Sequence, residues 1–203
     1  MLRRKCATVL LASISIASLS AADKKSDAFR PPAADTFPNR QKQAGVVIAA
    51  DPYVASDQLK PAFDKLNPND YGVLPVLVLI QNGSDKTIDL TQISVVYVDA
   101  NRRNIDSTPA AEVQYLNAPE RPKPNVSGIP KFGKKKNPLA AFEIESRAFV
   151  AKMLPQGESA HGFFYFQSDH RAGAMLYITG LRDASTKKEL FYFEVPLPER
   201  PIR

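Results

Sequence analysis

Two kinds of hydrophobic pattern run along this chain, and both have the length of strands. Val76 to Ile80 is apolar at every position, meets the polar turn Asn82-Gly83-Ser84-Asp85, and is followed by a β-branched run from Ile93 to Val98 that closes on Asp99-Ala100-Asn101. Asn-Gly between two strand-type runs predicts a β-hairpin, because both residues tolerate the positive φ of tight hairpin turns. Upstream, Ala44 to Ala50 predicts a first strand. Downstream, Phe149–Leu154, Gly162–Gln167, Ala174–Leu181 and Glu189–Leu197 are separated by the turn signals Pro155-Gln156-Gly157-Glu158, Ser168–Arg171 and Asp183–Lys188. About seven strands with turns at this spacing predict an all-β antiparallel sandwich of the immunoglobulin kind.

Helical pattern is sparse. Ser56 could cap a short helix that Pro61 limits to a brief turn ending near Leu66, with Leu59, Phe63 and Leu66 on one face against the sheet. Residues 102–146 break the strand pattern with six prolines between Asn104 and Pro138, a long excursion of the sort that is functional or irregular. Within it, Asn137-Pro138 reads as a cap followed by proline at the first helical position, and Leu139 to Glu145 as one or two helical turns.

Some strands are apolar on both faces. Phe163-Phe164-Tyr165-Phe166 are consecutive, Phe191-Tyr192-Phe193 repeat the situation, and Val76 to Ile80 is likewise two-sided. A sandwich strand with one face in water alternates instead. A second layer must therefore cover these strands. The simpler expectation is intramolecular, with the excursion and the Leu59–Leu66 turn lying over the sheet. The alternative is a partner surface with Tyr165, Tyr177 and Tyr192 at its rim, since tyrosine is favoured at interfaces.

Met1 to Ala22 has the form of a cleaved secretory signal: Arg3, Arg4 and Lys5, then an uncharged stretch from Ala7 to Leu19, then the small residues Ser20 and Ala22 ahead of Asp23. Such an apolar run is short for a membrane span. Its removal takes the formal charge from +6 to +3 and removes Cys6, the sole cysteine. The expected mature chain then excludes thiol catalysis, zinc–thiolate sites and iron–sulfur clusters, and its core must hold without disulfides. Asp23 to Gln43 predicts a mobile leader, and residues 44–203 one domain.

Candidate chemistry is thin. Gly128 to Lys135 nearly spells a phosphate-binding loop, but Lys135 stands where Ser or Thr would bind Mg²⁺ and Pro130 removes a cradling N–H. Gly157-Glu158-Ser159-Ala160-His161-Gly162 is one residue longer than a nucleophile elbow and leads into a strand, not a helix. Ser159 and His161 lack an evident third group to orient the imidazole. His161 and His170 are the only histidines, too few for a zinc site, and Asp64, Asn67, Asn69 and Asp70 read as turn chemistry before calcium ligands. The basic run Lys131, Lys134, Lys135 and Lys136, interrupted by Phe132, suits a solvated loop or a weak anionic partner such as an envelope polymer. The expected +3 charge is too mild for nucleic-acid binding. No cofactor, metal or catalytic residue is expected.

The order Asn82-Gly83-Ser84-Asp85-Lys86, then Tyr97-Val98-Asp99-Ala100-Asn101, Leu154-Pro155-Gln156-Gly157-Glu158 and Gly162-Phe163-Phe164-Tyr165-Phe166 resembles bacterial extracytoplasmic immunoglobulin-like domains, of the immunoprotective extracellular antigen type and the F-x-L-Y-D type. Val95-Val96-Tyr97-Val98-Asp99 matches the latter signature only in part, and the excursion is longer than such domains carry. The resemblance implies a secreted binding or structural module with no known catalytic residues. The chain is accordingly expected to be an exported, periplasmic or secreted, non-catalytic module of the cell envelope, with another envelope or extracellular protein or an anionic envelope polymer as its partner. A chaperone-like assembly factor is the second expectation, and a hydrolase with an unrecognised site the remotest.

Overall fold

The turn that starts the first sheet sits at Ala44-Gly45, where both residues have positive φ (49° and 79°). It joins β1 (Gln41–Gln43) to β2 (Val46–Pro52) in antiparallel register, Gln43 opposite Val46. Two successive positive φ values are what a right-twisted two-residue hairpin requires. The computed structural model describes residues 29–116, 137–190 and 192–199. The expected signal peptide (1–22), the basic run at Lys131, Lys134, Lys135 and Lys136, the near phosphate loop and Phe191 lie outside them. Among the described residues no helix is long and apolar enough to cross a membrane.

The chain continues through α1 (Ser56–Phe63), β3 (Leu74–Asn82), β4 (Ile88–Asp89), β5 (Ser94–Val98), β6 (Asn104–Asp106), α2 (Ala110–Val113), α3 (Phe142–Ser146), β7 (Met153–Leu154), β8 (Ser159–Phe166), β9 (Met175–Thr179), β10 (Arg182–Asp183) and β11 (Phe193–Pro196). Three antiparallel sheets result, in the orders β1-β2-β3-β8, β10-β4-β7 and β11-β9-β5-β6. The fold is mostly β, with short helices. Its strands outnumber the expected seven because short segments outside the apolar runs also pair, namely β1 in the leader, β4, β6 and β10.

A central core lies between the first and third sheets. Val46, Ile48, Leu74, Val76, Val78, Ile80 and Phe166 meet Val95, Tyr97, Leu176, Ile178, Phe193 and Val195 there. A second core covers the opposite face of the first sheet: Leu77, Leu79, Phe163 and Tyr165 pack against Leu59 and Phe63 of α1, Val113 of α2, Leu139 and Ile144. β3 and β8 therefore have an intramolecular cover, drawn from α1, the segment from Phe29 to Phe37 and the described parts of the 102–146 excursion, whereas Tyr192 of the Phe191–Phe193 run is 52% exposed.

Four sequence expectations need correction. The Asn82-Gly83 hairpin does not form: β3 pairs with β2 and β8, whereas β5 pairs with β6 and β9. Gly83 is absent from the positive-φ glycines, and Asn82 is an acceptor instead, taking the Ser84 N–H at 3.0 Å and its hydroxyl at 2.6 Å. Its amide donates to the carbonyls of Lys86 and Leu154. The chain thus turns away into the small sheet. Second, the described part of the expected mobile leader is packed: Ala34 and Phe37 belong to the second core, Phe29 packs against it, and β1 pairs. Third, Ser56 is the first helical residue and not the cap; the helix passes Pro61 and stops at Asp64, whose φ is 54°. Fourth, only Met153–Leu154 of the strand expected from Phe149 forms. The Phe149 backbone crosses Gly162 so closely that a Cβ there would lie 2.4 Å from its Cα.

Candidate functional site

Among the described residues, the third sheet is packed on one face only. Along β5, β9 and β11 buried residues alternate with open ones, and the open set faces away from the core. Register fixes which side chains share that outer face, since directly opposed residues of antiparallel strands point the same way. One row runs Asn104, Val98, Met175, Pro196; the next runs Asp106, Val96, Tyr177, Glu194. The middle of the grid is apolar, and each end of the second row carries a carboxylate. A concavity of about 720 Å³ lies over it, lined by Val96, Val98, Met175 and Tyr177 among others, with Arg102 beside the Asn104 end. Tyr192 leans onto Tyr177 with ring centroids 5.2 Å apart, and is itself 52% exposed.

Of the three rim tyrosines expected from the sequence, Tyr177 and Tyr192 stand together on this face. Tyr165 does not. It is 1% exposed within the second core, on a different sheet, and its hydroxyl donates to the Ile144 carbonyl at 2.7 Å. Burial pushes its pKa well above the usual phenol range. Tyr165 is a pin between β8 and α3, because Phe163 and Tyr165 point to the helical layer while Phe164 and Phe166 point to the central core.

The surface residues that sequence reasoning passed over are Val96, Val98, Met175, Asp106 and Glu194. Alternation in SVVYV and MLYIT separates the two faces of each strand, but only the pairing of β5 with β9 joins them into one patch.

Sheet edges are short or occupied. The Thr108 N–H donates to the Tyr165 carbonyl, the Phe149 N–H donates to the Phe163 carbonyl and the Phe163 N–H to the Arg147 carbonyl, so the outer edge of β8 is filled from Phe163 to Tyr165. Gln41 accepts from the Glu194 N–H at the edge of β11. β6 is three residues long and ends on Asp106. Short, charged or covered edges resist strand addition.

Asp89, Asp183 and His170, away from this face, have structural employment. Asp89 accepts from Thr91 N–H and hydroxyl and from Lys187 Nζ (3.0, 2.6 and 3.1 Å), which lowers its pKa to about 2. Asp183 accepts from Ser185, Thr186 and Lys86 in the same way and is held lower still. Asn82, Asp89, Asp99 and Asp183 all take the N–H two residues ahead, so one turn device recurs at four strand ends. His170 Nε2 lies 2.9 Å from the Pro198 carbonyl, which can only accept, so Nε2 carries the proton. Its Nδ1 faces the Tyr97 hydroxyl, which accepts from the Arg171 N–H, and burial pushes the imidazole pKa down.

The remaining candidates within the described residues occupy strand and turn positions. Ser159 and His161 lie exposed on β8, and the His161 ring has Phe29 at 6.4 Å. Asn67 accepts from the Asn69 N–H and donates to Asp70, as turn residues do. Among the described residues no three His, Cys, Asp or Glu side chains lie together to hold a metal ion.

No family model matches the chain, and no curated protein matches its sequence. Two solved structures are similar in part. One is a "putative lipoprotein (ycdA)" from Bacillus subtilis subsp. subtilis str. 168, at 10% identity and TM-score 0.36 over 78% of this chain and 38% of that one. The other is a functionally unknown protein from Listeria monocytogenes EGD-e, at 14% identity and TM-score 0.33 over 79% of this chain and 82% of that one. The chain thus spans well under half the length of the first.

Proposed function

We propose that this protein is an exported, immunoglobulin-like binding module of the bacterial envelope, without catalysis, which engages a partner protein through the outer face of its third sheet. One observation carries the reading. The first sheet has a helical layer over its outer face, whereas no layer of described residues covers the equivalent face of the third sheet, where Val96, Val98, Met175 and Tyr177 are half-buried and Tyr192 is exposed. Tyrosines with apolar bodies and polar tips suit an interface that forms from water. Export rests on the pattern of Met1 to Ala22 and needs its own check by fractionation. The filled and shortened edges favour face binding over the strand addition of a chaperone-like factor.

A photo-crosslinking residue placed at Tyr177, and separately at Lys60 on the helical layer, tests the reading in living cells. Expected are discrete adducts from position 177 and none from position 60, with the protein in the envelope fraction. Equal labelling from both positions, or a cytoplasmic protein, overturns it.

A further inference from the structure

The geometry points to a partner of definite chemistry on the open face: an extended segment carrying a Lys or Arg, an apolar residue two positions on, and a second Lys or Arg two positions further. This inference rests on the open-face reading and narrows it.

The argument begins with the row Asp106, Val96, Tyr177, Glu194. Its two ends are exposed carboxylates and its two middle positions are apolar. Among the described residues neither Asp106 nor Glu194 has an ion-pair partner, whereas Asp99, nearby, is held by Arg103 at 3.4 Å. Neighbouring strands lie about 4.8 Å apart, so four strands place the outer members of a row about 14 Å from each other. An extended peptide advances about 3.4 Å per residue and points alternate side chains to one side. Residues i, i+2 and i+4 of such a peptide therefore face the sheet together and span close to 14 Å. Laid across the strands, i and i+4 stand over Asp106 and Glu194, and i+2 enters the concavity between Val96 and Tyr177.

The adjacent row lacks this complement. Asn104 and Pro196 end it without charge, and Arg102 lies at the Asn104 end of the concavity, where it repels a cation. The segment is thereby confined to the Asp106–Glu194 row. A face with carboxylates at both ends also discriminates against acidic segments, which is specificity by repulsion.

Titration of isotope-labelled protein with synthetic seven-residue peptides, followed by amide chemical shifts, tests this. The probes carry Lys-Ser-Phe-Ser-Lys, the charge-reversed Glu-Ser-Phe-Ser-Glu, and the compressed Lys-Phe-Lys. Expected are shifts at Val96, Tyr177 and Glu194 with the first probe, weakening as salt rises through the screening range. The double variant Asp106→Asn, Glu194→Gln weakens that binding about fivefold, the loss that two exposed ion pairs give. Both substitutions are exposed and near-isosteric, so an unchanged spectrum elsewhere shows that the fold persists. Equal binding of the acidic probe at the same residues overturns the charge complementarity and leaves the open face standing. Equal binding of the compressed probe overturns the spacing. Shifts confined to the helical layer, or none with any probe, overturn the inference, while the position-177 crosslinks decide the open-face reading independently.

Discussion

β3 and β9 are both strands of apolar residues, yet they live differently. β3 is buried on both faces along most of its length, between the central core and the helical layer. β9 alternates, with Leu176 and Ile178 in the core and Met175, Tyr177 and Thr179 outward. The difference is one of cover. A two-sided apolar strand commits both faces to stability and needs a cover from its own chain. A one-sided strand commits only one face to the core. Here the cover comes from α1, α2, α3 and the segment from Phe29 to Phe37, all gathered over the first sheet.

Substitutions on the two sheets sharpen that contrast. Phe163→Ala is expected to be the most damaging, because the ring touches Tyr53, Phe63 and Phe29 within the second core. Its loss should lower unfolding free energy by about 4 kcal/mol, read by denaturant titration. A loss below about 1 kcal/mol would mean that the helical layer is not a true core.

Acid should act on the parts that join the sheets. His170 has a lowered pKa when folded, so the unfolded chain binds the proton more readily. Stability is therefore full above the ordinary imidazole value of 6.5 and falls as pH drops below it. Asp89 and Asp183 are also lowered, from 3.8, so their contribution is full above that value and is lost as pH falls toward about 2. Melting temperature against pH should show two declines, and His170→Gln should remove only the upper one.

Tyr165→Phe comes next. It deletes the hydroxyl and leaves the buried Ile144 carbonyl without that donor, with an expected loss of about 1.5 kcal/mol in the same denaturant assay. The smallest effect belongs to the open face. Tyr177→Ala should change stability by only about 0.5 kcal/mol, since its ring borders solvent. If Tyr177→Ala costs as much as Phe163→Ala, the outer face of the third sheet is structural and the contrast fails.

Much of this was legible from residue order. GFFYF shows that β8 has apolar groups on both faces, and the structure divides them into Phe163 and Tyr165 on one side, Phe164 and Phe166 on the other. Asn137-Pro138 predicts its own turn, and Asn137 does accept from the Leu139 N–H. Asn82-Gly83-Ser84 misled, because a buried Asn side chain that bonds its own turn looks the same in sequence as a hairpin loop. Ala44-Gly45, the real hairpin, carries no Asn or Asp to announce it.

The candidate site was half visible. Tyr177 and Tyr192 share the outer face of the third sheet, as the rim reading grouped them, and Tyr165 was read with them because strand period alone cannot tell which of two faces ends in water. Local pattern, then, determines which segments extend, which positions within a strand share a face, and that some strands require two-sided cover. The three-dimensional structure decides which strands are neighbours. Pairing across distant parts of the chain brings Asp106, Val96, Tyr177 and Glu194 into one row. That row depends on long-range register, a property of no single stretch of residues.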